Sequence, residues 1–144
     1  MTRQLIILAG GAGTRLRARL GDLPKPMIPI GGKPLLEHQV ELAKKYGFTD
    51  LIFFVHYRAD LIEKYFGDGK KFGVQIRYIL EKEPLGTAGA VLAGFEELAD
   101  RFVVLYVEFS EKTSEKRTKV SEAGVYTVKD GKIVREEFLT LTEN

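Results

Sequence analysis

Short apolar runs alternate with segments of helical periodicity through most of the chain, and this alternation constrains the fold more than any other feature. Strands are predicted over residues 4–8, 51–55, 74–80 and 102–106. Between them, apolar residues recur at helical spacing, which predicts helices over 34–46, 59–66 and 86–98. Strands and helices that alternate in this way form parallel sheets covered by helices. We therefore predict an α/β fold with a Rossmann-like, doubly wound, mostly parallel sheet flanked by helices.

The chain changes character after residue 107. Residues 108–123 are mostly polar and charged, which predicts a linker or loop. From Gly124 onward, apolar segments flank Asp130 and Gly131, a pair typical of tight hairpin turns, so a C-terminal β-hairpin is predicted. A chain of 144 residues suits one domain. We divide it into an α/β core over 1–107, a linker over 108–123, and a hairpin and tail over 124–144.

Composition excludes several functional classes. The chain has no cysteine, which excludes disulfides, thiolate nucleophiles and cysteine-based zinc sites. Its 22 basic and 20 acidic residues give a net charge of +2, too small to indicate binding to nucleic acid or to a membrane surface. No apolar run reaches the length of a membrane helix and no signal peptide is recognisable, so we expect a cytoplasmic protein. A homo-oligomer is left open.

A glycine-rich segment follows the first predicted strand. It consists of Leu8, Ala9, Gly10, Gly11, Ala12, Gly13, Thr14 and Arg15. Glycines let the backbone approach a ligand closely, and N–H groups at a strand-to-helix turn bind anions. The segment is not a Walker loop, because no Gly-Lys-Ser/Thr closes it, and it is not the dinucleotide fingerprint, because Leu16 occupies the third glycine position. With Thr14 and Arg15 attached, it predicts phosphate binding, and a purely structural turn is the alternative.

Lys25 stands between two prolines, ten residues after Arg15. Pro24 and Pro26 fix the backbone on either side, which reduces the entropy lost when the lysine is held against a ligand. Taken alone, Lys25 would be interpreted as a solvated surface lysine. Beside a phosphate-binding loop, Arg15 and Lys25 form a cationic pair suited to a polyphosphate.

The order of these motifs resembles that of the sugar-1-phosphate nucleotidylyltransferases, and in particular their mannose- and heptose-1-phosphate guanylyltransferase-like members. The motifs are L-A-G-G-A-G-T-R-L at 8–16, P-K-P-M at 24–27, K-P-L-L-E at 33–37, Y-F-G-D-G at 65–69 and E-P-L-G-T-A-G at 83–89. The resemblance implies transfer of a nucleotidyl group from a nucleoside triphosphate to a sugar 1-phosphate, with release of pyrophosphate. Such a reaction needs no protein nucleophile, and catalysis consists of positioning and charge stabilisation.

The resemblance also implies roles for individual residues. Arg15 would hold the β- and γ-phosphates, and Lys25 would neutralise charge on the α-phosphate. Gly86 and Thr87 would pass close to the base and ribose. The loop residues implied to bind the nucleotide are Leu8, Ala9, Gly10, Gly11, Gly13 and Thr14.

Glu81 stands where the family places a side chain that recognises the base. A carboxylate only accepts hydrogen bonds. Guanine offers two adjacent N–H donors, whereas uracil and thymine offer one N–H between two carbonyl groups, so Glu81 predicts a preference for GTP. A solvated acid beside Lys82 is the alternative. Neither of the two histidines, His38 and His56, has a metal-ligand partner at suitable spacing, and both are assigned to packing or solvent. For His56, which lies just past a strand end, a position close to the substrate is the alternative.

Residues 105–108 depart from the family pattern Leu-Tyr-Gly-Asp, in which the aspartate binds Mg²⁺. Val107 replaces the glycine and Glu108 replaces the aspartate, so Glu108 is the candidate Mg²⁺ ligand. Family members are also longer than this chain. Two alternatives to an active transferase therefore stay open. One is a module that binds a nucleotide or nucleotide sugar without turnover, and the other is a truncated or engineered scaffold without function.

Overall fold

The computed structural model describes residues 4–14, 18, 21–83, 101–108, 120–129 and 132–142. Its strands are β1 Gln4–Ala9, β2 Pro29–Ile30, β3 Lys33–Pro34, β4 Asp50–Val55, β5 Gln75–Leu80, β6 Arg101–Glu108, β7 Val120–Lys129 and β8 Lys132–Thr142. Its helices are α1 Leu35–Lys45 and α2 Ala59–Phe66, and short 3-10 helices span Lys25–Met27 and Lys70–Phe72. Strands β2 and β3 pair with each other, and the other six form one sheet in the order β5-β4-β1-β6-β7-β8.

Four strands of the large sheet run parallel in the order β5-β4-β1-β6. Their order along the chain reverses at β1, because β4 and β5 lie on one side of it and β6 lies on the other. This is the strand order of a Rossmann-like sheet, in which ligands bind beyond the carboxyl ends of the strands where the order reverses. The predicted α/β fold with a mostly parallel sheet is confirmed.

The core forms because the inner parallel strands, β1 and β4, are apolar at every position after the first. All five residues of β4 from Leu51 to Val55 are fully buried, as expected of a strand covered on both faces. Helices α1 and α2 pack their apolar stripes against one face of the sheet. The buried residues of this layer are Leu5, Ile7, Ala9, Leu36, Val40, Ala43, Leu51, Phe53, Val55, Ile62, Phe66, Val74 and Ile76. The site described below is therefore built on the ends of rigid, buried strands.

The observed helices and strands agree with the predicted ones within one or two residues over 4–83. Pro34 precedes α1 as its N-cap residue, and Gly47 adopts a φ of +80° just after the helix, a conformation that favours glycine. Strand β5 begins one residue later than predicted because the N–H of Val74 bonds to the carbonyl of Gly69 in the preceding turn.

The helix predicted over 86–98 lies outside the described residues. None of the helices in the described ranges has the length and hydropathy that spanning a bilayer requires.

The C-terminal hairpin is longer than predicted. Glu108 is the last residue of β6 and pairs with Val120 of β7, so both ends of the predicted linker over 108–123 belong to the sheet. Backbone hydrogen bonding to β6 accounts for this, since pairing with a neighbouring strand overrides the weak strand preference of polar residues. Strands β7 and β8 are antiparallel, and β7 joins the hairpin to the parallel strands in one continuous sheet. Residues 109–119 lie outside the described ranges.

Candidate functional site

Three neighbouring parallel strands end at the same level of the sheet. Strands β1, β4 and β5 are in register at their last residues, Ala9, Val55 and Leu80. The residues that follow these strands therefore meet at the carboxyl edge, beside the point where the strand order reverses. They are Gly10, His56 and Glu81.

The carboxylate of Glu81 packs against the backbone of Gly10. A Cβ atom at Gly10 would lie 2.6 Å from Oε2 of Glu81 and 3.3 Å from Cβ of His56. Because β4 lies between β1 and β5, the side chain of Glu81 reaches past the end of β4 to make this contact. Only glycine at position 10 leaves room for the carboxylate in this place.

Glu81 is a buried acid at the carboxyl edge of the sheet. It is only 8% exposed, and the hydrogen bonds that the described residues make to it reach its backbone and not its carboxylate. Burial raises the pKa of this carboxyl, and a protonated His56 would oppose that rise. A buried carboxylate at a strand end is suited to bind a ligand that brings its own hydrogen-bond donors.

Replacing Glu81 with glutamine is expected to stabilise the protein at neutral pH. A carboxyl whose pKa is raised by folding ionises more readily in the unfolded chain, so stability falls as the pH rises from the unfolded pKa through the folded one. Glu81→Gln removes the ionisable group and with it this fall in stability. The Tm of the variant should therefore exceed that of the unmodified protein at neutral pH, and the difference should disappear below about pH 4. Thermal unfolding of both proteins between pH 3 and 8 measures the difference.

The control is Glu83→Gln at an exposed acid, which should change the free energy of unfolding by no more than ~0.5 kcal/mol. A lower Tm for Glu81→Gln at pH 7 would contradict the expectation.

The glycine-rich loop and Lys25 pack directly against each other. The N–H of Lys25 donates to the carbonyl of Gly11 at 3.2 Å. A Cβ atom at Gly13 would lie 3.3 Å from Cβ of Lys25, and Gly13 has a φ of +61°, so both space and backbone conformation favour glycine there. The structure thus brings together the loop and the lysine that the sequence analysis grouped as one anion site.

The prolines on either side of Lys25 hold its backbone in place. Pro24 and Pro26 are both buried, whereas Lys25 between them is exposed. The N–H of Met27 bonds to the carbonyl of Pro24 at 2.9 Å and closes the 3-10 helix Lys25–Met27. The backbone of Lys25 is therefore fixed on both sides and by Gly11, while its side chain lies at the surface beside the loop.

The remaining predicted site residues have different surroundings. Leu8 and Ala9 end β1, and the side chain of Ala9 is buried in the core, so only its backbone faces the edge. Thr14 is exposed at the end of the loop. Three predicted residues, Arg15, Gly86 and Thr87, lie outside the described residues.

Glu108 ends β6, the strand that pairs with β1 on the side opposite β4. Its backbone therefore lies at the carboxyl edge where the glycine-rich loop begins. Within the described residues, no group of three or more histidine, aspartate or glutamate side chains is placed to hold a metal ion.

His56 is a further candidate site residue, which was not among those predicted. The sequence assigns it to packing or solvent, whereas the structure places it between Gly10 and Glu81. Its Nδ1 donates to the backbone carbonyl of Glu81 at 2.6 Å, since a carbonyl only accepts. The feature of the sequence that points to His56 is its position directly after a strand, which Gly10 and Glu81 share. His38, by contrast, lies on α1, where its Nε2 bonds to the carbonyl of Ile30 at 2.8 Å.

Comparison with known families gives one match that covers most of the chain. Residues 4–109 match the family model described as nucleotidyl transferase. This match contains β1 to β6 and every predicted site residue.

Comparison with individual proteins gives relatives that are longer than this chain. It is 50% identical over 88 residues to the D-glycero-alpha-D-manno-heptose 1-phosphate guanylyltransferase of Campylobacter jejuni, a match covering 61% of this chain and 39% of that protein. It is 39% identical over 111 residues to the mannose-1-phosphate guanyltransferase of Neurospora crassa, a match covering 76% of this chain and 30% of that protein. Among solved structures, HddC from Yersinia pseudotuberculosis complexed with GMP-PN superposes with a TM-score of 0.63 and 37% identity, covering 74% of this chain and 50% of that one. The chain thus spans half or less of the length of these relatives.

Proposed function

The chain belongs to the nucleotidyl transferase family, and from this premise we propose that it acts on a nucleoside triphosphate, with GTP preferred, and a sugar 1-phosphate. An oxygen of the sugar phosphate attacks the α-phosphorus of the triphosphate. The bond from that phosphorus to the oxygen of the β-phosphate breaks, and pyrophosphate leaves. The products are a nucleoside diphosphate sugar and pyrophosphate. The guanylyltransferase relatives support this class of reaction, and the buried carboxylate of Glu81 against Gly10 is the observation that supports the choice of base.

The glycine-rich loop and Lys25 supply the phosphate site in this proposal. Glycines at 10, 11 and 13 let backbone N–H groups approach the nucleotide, together with Leu8, Ala9 and Thr14. Lys25, held against Gly11 and Gly13, neutralises charge that develops on the α-phosphate. Arg15 holds the β- and γ-phosphates and favours pyrophosphate as the leaving group.

Glu81 supplies base specificity in this proposal. The two oxygens of its carboxylate accept hydrogen bonds from N1–H and N2–H of guanine. Uracil and thymine would place a carbonyl oxygen against one of these carboxylate oxygens, which is repulsive in a partly buried site. Gly86 and Thr87 complete the contacts to base and ribose.

Glu108 is the proposed carboxylate ligand of Mg²⁺, given its place at the end of β6 beside β1. When bound, Mg²⁺ supplies further charge neutralisation at the phosphates. The proposed nucleotide-binding core is 1–107, and with the hairpin and tail it forms a single nucleotidyltransferase-like domain over 1–144. The proposed location is the cytoplasm, and the proposed partners are these two substrates, without nucleic acid or a membrane.

The experiment that tests the function combines binding with turnover. Thermal unfolding is followed with GTP, UTP, dTTP, CTP and ATP and with their nucleotide sugars, with and without Mg²⁺, since a ligand that binds the native state raises Tm. Pyrophosphate release is then measured with GTP and a panel of sugar 1-phosphates. Release with GTP supports the transferase. Greater activity with UTP or dTTP than with GTP would contradict the guanine preference.

A second candidate is a module that binds a nucleotide or nucleotide sugar without turnover. Val107 and Glu108 favour it, because a β-branched residue and a longer acid stand where the family has glycine and aspartate. Its result in the same experiment is a shift in Tm that does not depend on Mg²⁺, with no pyrophosphate released. The absence of any shift would favour the truncated or engineered scaffold.

Replacing Glu81 with glutamine is expected to lower the preference for GTP over UTP by about 10- to 100-fold, the effect of losing hydrogen bonds to a charged acceptor. Glutamine keeps the shape of the side chain but presents one N–H₂ group to the donors of guanine. Calorimetric affinities for both nucleotides give the ratio. Glu83→Gln, at an exposed acid two residues away, is the matched control and should keep the ratio of the unmodified protein. An unchanged ratio in Glu81→Gln would show that another residue selects the base.

A further inference from the structure

We propose that His56 is a positioning residue that sets base specificity by holding the backbone of Glu81, so that the carboxylate of Glu81 lies over Gly10. The inference rests on the proposed function, because it assigns the residue that orients the proposed guanine acceptor. His56 itself makes no contact with the base in this proposal.

Both backbone polar groups of Glu81 are bonded by β4 and the residue that follows it. The N–H of Glu81 donates to the carbonyl of Val55 at 2.8 Å, which extends the parallel ladder by one residue. The carbonyl of Glu81 accepts from Nδ1 of His56 at 2.6 Å. The imidazole of His56 thus takes the place of the backbone N–H that would donate to the Glu81 carbonyl if the two strands continued.

This anchoring decides where the carboxylate lies. The hydrogen bonds from described residues hold the backbone of Glu81, so the position of its carboxylate depends on where that backbone is held. Cβ of His56 and Oε2 of Glu81 converge on the same point beside Gly10, 3.3 Å and 2.6 Å from where a Cβ atom of residue 10 would be. If the carbonyl of Glu81 is released, the residue can rotate and the carboxylate leaves Gly10.

The proposal makes a prediction at the level of single atoms. Nδ1 of His56 is the nitrogen that bonds to Glu81, so a donor at the Nδ1 position is required and a donor at the Nε2 position is not. The amide of asparagine occupies nearly the position of Nδ1, whereas the amide of glutamine extends to nearly that of Nε2. His56→Asn and His56→Gln therefore separate the hydrogen bond from the general properties of a polar side chain at this place.

Calorimetric affinities for GTP and UTP test the proposal on the full chain. We expect His56→Gln to lower the ratio of GTP to UTP affinity by about 10-fold, and His56→Asn to keep it within about 3-fold. His38→Asn is the matched control, since it removes another histidine-to-carbonyl hydrogen bond, which lies on α1. It is expected to lower Tm and to keep the ratio. An equal loss in His56→Asn and His56→Gln, or no loss in His56→Gln, overturns the proposal.

A second measurement does not depend on nucleotide binding. The imidazole ¹⁵N chemical shifts of the free protein report which nitrogen carries the proton, and we expect the Nδ1–H form at His56. The Nε2–H form overturns the proposal even if GTP is preferred. If the unmodified protein binds no nucleotide, the proposed function fails, whereas the Nδ1–H form together with a shifted Glu81 carbonyl signal in His56→Gln still supports the positioning of Glu81 by His56.

Discussion

Replacement of Lys25 by methionine is expected to lower the rate of nucleotidyl transfer by about 10²–10³-fold, the usual effect of losing one well-placed electrostatic stabiliser. Methionine keeps a long apolar stem that can pack along Gly11 and Gly13 as the lysine does. The hydrogen bond from residue 25 to Gly11 uses the backbone and does not depend on the side chain. The substitution thus removes the charge and leaves the loop in place.

Steady-state pyrophosphate release and thermal unfolding separate the two effects of Lys25→Met. The rate should fall mainly in kcat, because the charge acts on the α-phosphate as the bonds change, and Tm should stay close to that of the unmodified protein. Lys64→Met, at an exposed lysine of α2, is the matched control and should keep the rate. A rate in Lys25→Met within threefold of the unmodified protein would remove Lys25 from the proposed mechanism.

The proposed role of Glu81 in selecting the base would oppose stability. Its burial raises the pKa of the carboxyl, so the ionised form that accepts hydrogen bonds is disfavoured by folding. If the acid only filled space, its replacement by glutamine would cause no loss of base selection. Glu81→Gln is expected to gain stability and lose base selection, and this opposite pair of effects is the mark of a residue kept for a ligand.

The secondary structure was predictable where local signals are strong. The fully apolar run of β4 identifies a buried strand, and Pro34 and Gly47 mark the two ends of α1. The first part of β7 was not predictable, because residues 120–123 become a strand only through pairing with β6, a contact that the local sequence does not contain.

The sequence identified the residues that meet at the candidate site one by one, but it did not contain the contacts between them. Gly10 and Glu81 were each identified from a motif, yet the packing of one on the other depends on β4 lying in register between β1 and β5. The hydrogen bond from His56 to Glu81 depends on the same alignment, since the two residues meet only because both strands end together. Periodicity along the chain carries no information about such register.

Replacing Gly69 with alanine is expected to destabilise the protein by about 3–4 kcal/mol, through backbone strain and overpacking together. Gly69 adopts a φ of +86° in the turn between α2 and β5, where a Cβ atom would lie 2.7 Å from the carbonyl oxygen of Val74 and 2.7 Å from Cγ1 of Ile76. Neither neighbour can move freely, because Val74 N–H bonds to the carbonyl of Gly69 and Ile76 N–H bonds to that of Asp68. Urea unfolding of the two proteins measures the loss.

Gly47 supplies the matched control for this turn. It has a similar φ of +80°, but a Cβ atom added there would meet no described atom within 4 Å, so Gly47→Ala should show the backbone strain alone, about 1–2 kcal/mol. The difference between the two variants is then the cost of the contacts around Gly69. Equal losses would show that the turn relaxes around the new methyl group. Because this turn sets where β5 begins, and Glu81 directly follows the last residue of β5, Gly69→Ala should also weaken GTP binding, whereas Gly47→Ala should not.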